Sequence, residues 1–261
     1  MIPKATAHLV EMFSSVQGEG VHVGASTLFV RFGECDLRCR WCDTPHSWVR
    51  TKTARIESER GTGEFGEVAN PVPVTQLVAA AEALELPSHR FVSFTGGEPL
   101  LQPEPLVELA RAFRERGPRI HLETHGLHAD ALAAVLPVVD VVSMDWKLAS
   151  DVRRADDRKS GPVDDFHSAH AEFLRCALGA PEVMVKVVVT PVTTDEEIDA
   201  MQHCILGVSP EVMVIVQPAT PCGGVKVAAT AQRVLELSAR LERSLPHVRL
   251  IPQTHRSYGA L

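Results

Sequence analysis

Three cysteines fall within one short stretch, ECDLRCRWCDT: Cys35, Cys39 and Cys42, spaced C-x3-C-x2-C with Trp41 just before the last. Three thiolates on one loop can converge on a single soft metal centre. A closed structural zinc site takes four protein ligands, so zinc would need a fourth from His46 or a distant cysteine. A [4Fe–4S] cluster on three cysteines differs, because it leaves one iron open to a small molecule, much as catalytic zinc keeps one position open. Cys176, Cys204 and Cys222 are scattered far downstream. They suit packing or loops, since free cysteine behaves as a small hydrophobe.

The loop needs elements to hold it. Short runs rich in β-formers recur at Thr27–Phe32, Phe91–Thr95, Ile120–Glu123, Val139–Ser143, Val183–Val189, Val212–Val216 and Val248–Ile251. Between them lie stretches with apolar residues at helical spacing: Gln76–Leu84 behind a capping Thr75, Pro103–Arg116 with proline in its first turn, Asp164–Leu178, Thr194–Ile205 and Ala228–Leu245. Strand–helix alternation implies parallel strands joined by crossover helices. Seven strands with fewer helices suit an α/β fold, either an incomplete TIM-like barrel with outer helices or an open doubly wound sheet; the barrel is favoured, as one domain over residues 1–261. Arg50–Pro73 and Ser150–Pro162 are polar, charged and glycine-bearing, and read as long surface loops.

In α/β barrels the reacting groups sit at the C-terminal ends of strands. Polar residues recur there in this chain. The cysteines follow the first strand, Gly96-Gly97-Glu98-Pro99 the second and Glu123-Thr124-His125-Gly126 the third; Ser143, Asp145 and Lys147 end the fourth, and Gln217 and Gln253-Thr254-His255-Arg256 end later ones. Taken singly, each has a structural alternative. Gly96-Gly97 can be a tight turn or let backbone approach a bound amino acid closely. Glu98 can cap a helix or accept from an ammonium group. Glu123 can be a solvated strand end and Lys147 a surface lysine.

The cysteine spacing with its aromatic residue resembles the signature of the radical S-adenosylmethionine (SAM) enzymes, and GGEP resembles their GGE motif. The resemblance implies a [4Fe–4S] cluster on Cys35, Cys39 and Cys42 whose open iron chelates SAM. It also implies SAM contacts from Gly96, Gly97, Glu98, Glu123, Ser143 and Lys147. Further segments narrow it. Phe13–Gly20 with its QGEG, Trp41–Trp48 with its WCDT, and Ile251–Arg256 with its PQTH together resemble the 7-carboxy-7-deazaguanine synthase family of the queuosine pathway, from near residue 11 onward. That resemblance implies a lyase that contracts the ring of 6-carboxy-5,6,7,8-tetrahydropterin with loss of ammonia, and regenerates SAM. It implies Mg2+ at Thr44, otherwise a plain turn residue. It also implies substrate contacts from Gln17, Glu19, Arg31, Thr95 and His255. A pterin's guanidine-like edge suits Glu19 and its carboxylate suits Arg31, whose alternative is a structural ion pair. His125 stands where the resemblance expects asparagine, and Arg256 where lysine is common. The resemblance further implies a homodimer and a reductant such as a flavodoxin. The nearest alternatives are a glycyl-radical-enzyme activase of the same superfamily and a non-catalytic zinc or iron–sulfur module.

Composition bounds the rest. The chain has 261 residues, 45% hydrophobic and 23% charged, with a net charge of −7. These are ordinary globular proportions, and the acidity argues against a nucleic-acid partner. No apolar run approaches the roughly 20 residues of a membrane span, and Met1–Val10 lacks a signal-peptide design. A cytoplasmic location with reduced thiols is therefore expected.

Overall fold

The computed structural model describes residues 5–157, 163, 165–257 and 259. The strands are β1 Thr6–Ala7, β2 Leu9–Val16, β3 Ser26–Phe32, β4 Leu37–Cys39, β5 Thr53–Glu57, β6 Phe65–Ala69, β7 Val72–Pro73, β8 Phe91–Gly96, β9 Arg119–Thr124, β10 Val141–Trp146, β11 Val152–Arg154, β12 Glu182–Val189, β13 Met213–Pro218 and β14 Val248–Leu250. The helices are α1 Val74–Ala83, α2 Pro103–Arg114, α3 Ala129–Val135, α4 His167–Ala177, α5 Asp195–Val208 and α6 Ala231–Glu242.

Ten strands form one sheet in the order β14-β13-β12-β10-β9-β8-β3-β2-β5-β6. From β3 to β14 every neighbouring pair is parallel, and one helix lies in each connection between them. These seven parallel strands are the seven expected. The sheet does not close on itself, so the incomplete barrel stands. Val30, Phe94, Leu122, Met144, Val187 and Val216 turn one face of these strands into a continuous apolar core with the helices.

Local chemistry explains the helix ends. Thr194 accepts from Glu197 N while Glu197 bonds back to Thr194 N, a capping box that starts α5. Thr230 accepts from Arg233 N and starts α6. Thr75 does not cap α1. That helix begins at Val74, directly after β7 pairs with β1, and Val74 N bonds Ala5 O. α3 is absent from the sequence reading, because it has seven residues and no capping side chain.

The stretch 50–73 is not an irregular loop. β5 and β6 form an antiparallel hairpin that extends the sheet beyond β2, with Gly61 and Gly63 in the left-handed region at its turn. Its signal is weak because β6 is an edge strand of mostly exposed residues. β2 itself runs antiparallel to β3, so this side of the sheet is mixed. The second polar stretch contains β11, which pairs with β4; residues 158–162 and the start of the expected helix at 164 lie outside the described residues.

Candidate active site

The cysteine loop is braced from three sides. The β4–β11 pairing sets Cys39 opposite Val152. Leu37, Val152 and Phe166 form a small apolar cluster beneath Cys35, Cys39 and Trp41. Cys222 Sγ donates to Trp41 O at 3.0 Å, and Gly224 N donates to Arg40 O at 2.6 Å. Cys222 is thus a loop residue that holds the cluster loop, whereas Cys176 and Cys204 pack at the core.

Cys35, Cys39 and Cys42 all line one cavity at the C-terminal ends of the parallel strands. Three thiolates brought to one cavity can converge on a single soft metal centre. Burial pushes the Cys35 thiol up to about 12 and the Cys39 thiol up to about 11, with Lys147 opposing the rise at Cys39. Both are therefore protonated until a metal displaces the proton.

Gly96 has φ +115°, and a Cβ there would sit 2.4 Å from Phe32 O; at Gly97 it would sit 2.0 Å from Glu34 O. Gly96 is required by the end of β3 and Gly97 by the backbone of Glu34 and Ser47 on either side of the cysteines, and both also line the cavity. Glu98 is fully buried and is not among the cavity-lining residues. Its carboxylate accepts from Leu100 N at 3.0 Å, Thr124 Oγ1 at 2.8 Å and His125 N at 2.9 Å. The capping alternative describes those bonds.

Glu123 does face the cavity. It accepts from Ser93 Oγ at 2.5 Å, Gln17 Nε2 at 2.8 Å and Thr95 Oγ1 at 3.1 Å. Burial would raise its pKa, but His121 and Lys186 outweigh it and hold the carboxyl below its usual range. Ser143 is buried outside the lining. Asp145, two residues along the same strand face, reaches the cavity in its place. Lys147 Nζ bonds Asp145 at 2.8 Å and lies 4.4 Å from the Trp41 ring centroid. Burial opposes its charge, yet Asp145 and Cys39 raise its pKa.

The segments expected to bind substrate converge on this cavity, which Gln17, Glu19, Arg31, Thr44, Thr95 and His255 all line. Thr254 N donates to Gly18 O at 2.9 Å, Gln253 Nε2 to Glu19 at 2.7 Å and Arg256 to Asp43 at 2.7 Å. Arg31 both lines the cavity and pairs with Glu11 at 2.9 Å, so its two readings coexist. Thr44 opens a 3-10 turn without a side-chain capping bond.

Lys186 is absent from the sequence reading. It bonds Glu19 and lies 3.1 Å from Asp145. Burial works against its charge, but Asp145, Glu19 and Glu123 together raise its pKa. A single lysine inside the run VMVKVVV was the available signal, since lysine is almost never fully buried unless paired. Gln217, placed at a strand end by the sequence, also reaches the cavity, where its Oε1 is buried with no hydrogen-bond partner.

Comparison with known proteins shows the family and the fold. The radical SAM superfamily profile matches residues 30–205. A curated 7-carboxy-7-deazaguanine synthase from Geobacter sulfurreducens is 37% identical over 264 residues, 99% of this chain and 99% of that protein. One from Methanothermobacter thermautotrophicus is 31% identical, covering 97% of each. Among solved structures, QueE from Escherichia coli superposes with a TM-score of 0.63 at 22% identity over 96% of this chain and 95% of that one. TYW1 with a lysine-pyruvate adduct bound gives 0.52 at 13% identity over 84% and 75%. Both likenesses are of fold.

Proposed function

This chain belongs to the 7-carboxy-7-deazaguanine synthase family of the radical SAM superfamily, and from that membership we propose that it converts 6-carboxy-5,6,7,8-tetrahydropterin to 7-carboxy-7-deazaguanine. The observation that carries this reading is the bonding of three distant segments around the cysteines. Gly18 and Glu19 of QGEG meet Gln253 and Thr254 of PQTH, while Asp43 of WCDT meets Arg256. Substrate and product differ by one ammonia, so the conversion needs no net oxidant. Cys35, Cys39 and Cys42 would hold a [4Fe–4S] cluster, which with SAM would supply the radical chemistry that starts at substrate C6.

This chain's residues bind and orient. Glu123 and Lys147 face the SAM side with opposite charges, suited to ribose hydroxyls and a carboxylate. Gly96 and Gly97 form the adjoining floor. Glu98 contributes by fixing Thr124 and His125 rather than by reaching the cavity. Glu19, with one oxygen on Gln253 and the other on Lys186, is the anion for the pterin's guanidine-like edge. Arg31 is the cation for its carboxylate, with Gln17, Thr95 and His255 adding hydrogen bonds. The Thr44 hydroxyl is a hard oxygen donor suited to Mg2+ together with that carboxylate. The reading includes one domain over residues 1–261, lyase chemistry, a flavodoxin-type reductant and a cytoplasmic homodimer. No helix among the described residues is long and apolar enough to cross a membrane.

The test is anaerobic reconstitution followed by SAM, dithionite and the carboxytetrahydropterin. Deazaguanine product and ammonia are expected in equal amounts, and Cys39→Ala should lose both cluster and product while staying folded. Absence of both deazaguanine and 5′-deoxyadenosine from the reconstituted enzyme would refute the assignment, and 5′-deoxyadenosine without deazaguanine would point to another radical SAM substrate.

A further inference from the structure

Beside the cysteine loop stands a second group of ligand-type side chains that the proposed reaction does not use. Asp36 follows Cys35, His125 follows Thr124 at the end of β9, and His128 precedes α3. His125 Nε2 lies 2.8 Å from Asp36 Oδ1, and His128 Nε2 lies 3.2 Å from Asp36 Oδ2. One ligand atom from each residue falls within 4.8 Å of the other two.

Ordinary hydrogen bonding does not use all of these atoms. His128 Nε2 and His125 Nδ1 are both buried, and apart from the 3.2 Å ion-pair contact of His128 with Asp36 neither atom has a polar partner. Metal–nitrogen and metal–oxygen bonds of about 2.0–2.2 Å put neighbouring ligand atoms roughly 3 Å apart, which is the spacing of the Asp36 carboxylate from each imidazole. Charge points the same way. Glu98 Oε2, fully buried, lies 3.3 Å from His125 Nε2, so two carboxylates face the two imidazoles.

We infer that Asp36, His125 and His128 form a binding site for one divalent transition-metal ion, distinct from the cysteine centre. Two imidazoles and a carboxylate suit zinc, cobalt or nickel; magnesium takes oxygen donors and keeps its waters. His128, with 29% of its side chain exposed, gives the ion access from solvent. A bound ion ties the residue after Cys35 to the end of β9 and the start of α3, and so holds the cluster loop against the strand that carries Glu123.

The test uses the enzyme with its iron–sulfur cluster in place and Co2+ as the only added metal, under anaerobic conditions. One Co2+ per chain is expected, with ligand-field absorption and no thiolate charge-transfer band. His128→Ala should bind Co2+ more weakly by over the roughly 10–100-fold that loss of an outer-shell partner costs, with its iron content unchanged. Since the His128 side chain makes no capping bond to α3, this variant should fold. Asp36→Asn should show the same loss and guards against a local effect at the helix start. No uptake by the parent enzyme, equal uptake by both variants, or a thiolate band would each overturn the inference. None of these readouts depends on pterin turnover.

Discussion

The two faces of the parallel strands use consecutive residues for opposite purposes. Val30, Phe94, Leu122, Met144, Val187 and Val216 face the helices, while Arg31, Thr95, Glu123, Asp145, Lys186 and Gln217 face the cavity. A strand's side chains alternate, so each apolar anchor delivers a polar neighbour to the other side. The helix face is held by burial, which is non-directional and tolerates swaps that conserve volume. The cavity face is held by pairing, so each charge there depends on named partners.

The largest test of that contrast is Lys186→Met. It leaves Glu19 and Asp145 partly without their cation, and removing one partner of a buried pair costs about 3–5 kcal/mol. Adding Glu19→Gln should return part of the loss in urea unfolding. On the other face, Leu122→Ala should cost about 2–5 kcal/mol through the hole it leaves, and no cavity-face substitution should recover it. If both losses respond equally to Glu19→Gln, the two faces are not held differently.

Acid gives a second, smaller test. His170 on α4 reaches the backbone beside the cavity, with Nδ1 donating to Gly126 O at 2.9 Å and Nε2 accepting from Lys147 N at 2.9 Å. Burial lowers its pKa from 6.5 to about 3. The unfolded chain therefore takes up the proton first as pH falls. Stability from this residue is complete above pH 6.5 and is lost as pH drops toward 3, by about 1.4 kcal/mol per pH unit. His170→Gln should flatten the difference between stability curves measured at pH 7 and pH 5. An unchanged slope would mean that the imidazole is not held neutral.

The smallest effects belong to helix starts, far from either contrast. Thr194→Ala should cost about 1 kcal/mol because it opens the capping box. Thr75→Ala, exposed and without a capping role, should fall within about 0.5 kcal/mol of no change.

The parallel strands were legible because each pairs a run of β-formers with a helix. The cysteines and the QGEG, WCDT and PQTH segments were legible because their spacing is local. What escaped depends on partners distant in sequence. The β5–β6 hairpin is polar at the sheet's edge, and its pairing to β2 cannot be seen in its own residues. Glu98 is turned away from the cavity by Thr124 and His125, and Ser143 yields its place to Asp145 through a two-residue shift in depth along β10. Lys186 carried a visible signal, a charge in an apolar run, but the identity of its partners, Glu19 and Asp145, exists only in the fold.

Gly18 and Thr254 are joined by a backbone hydrogen bond across almost the whole sequence. Synthesis on the ribosome is directional, so the cysteines emerge and can take up iron long before residues 252–255 do. Until then the cavity has no finished wall. The wall that Gln253 and His255 add to the cavity is therefore made well after the cysteine loop it faces.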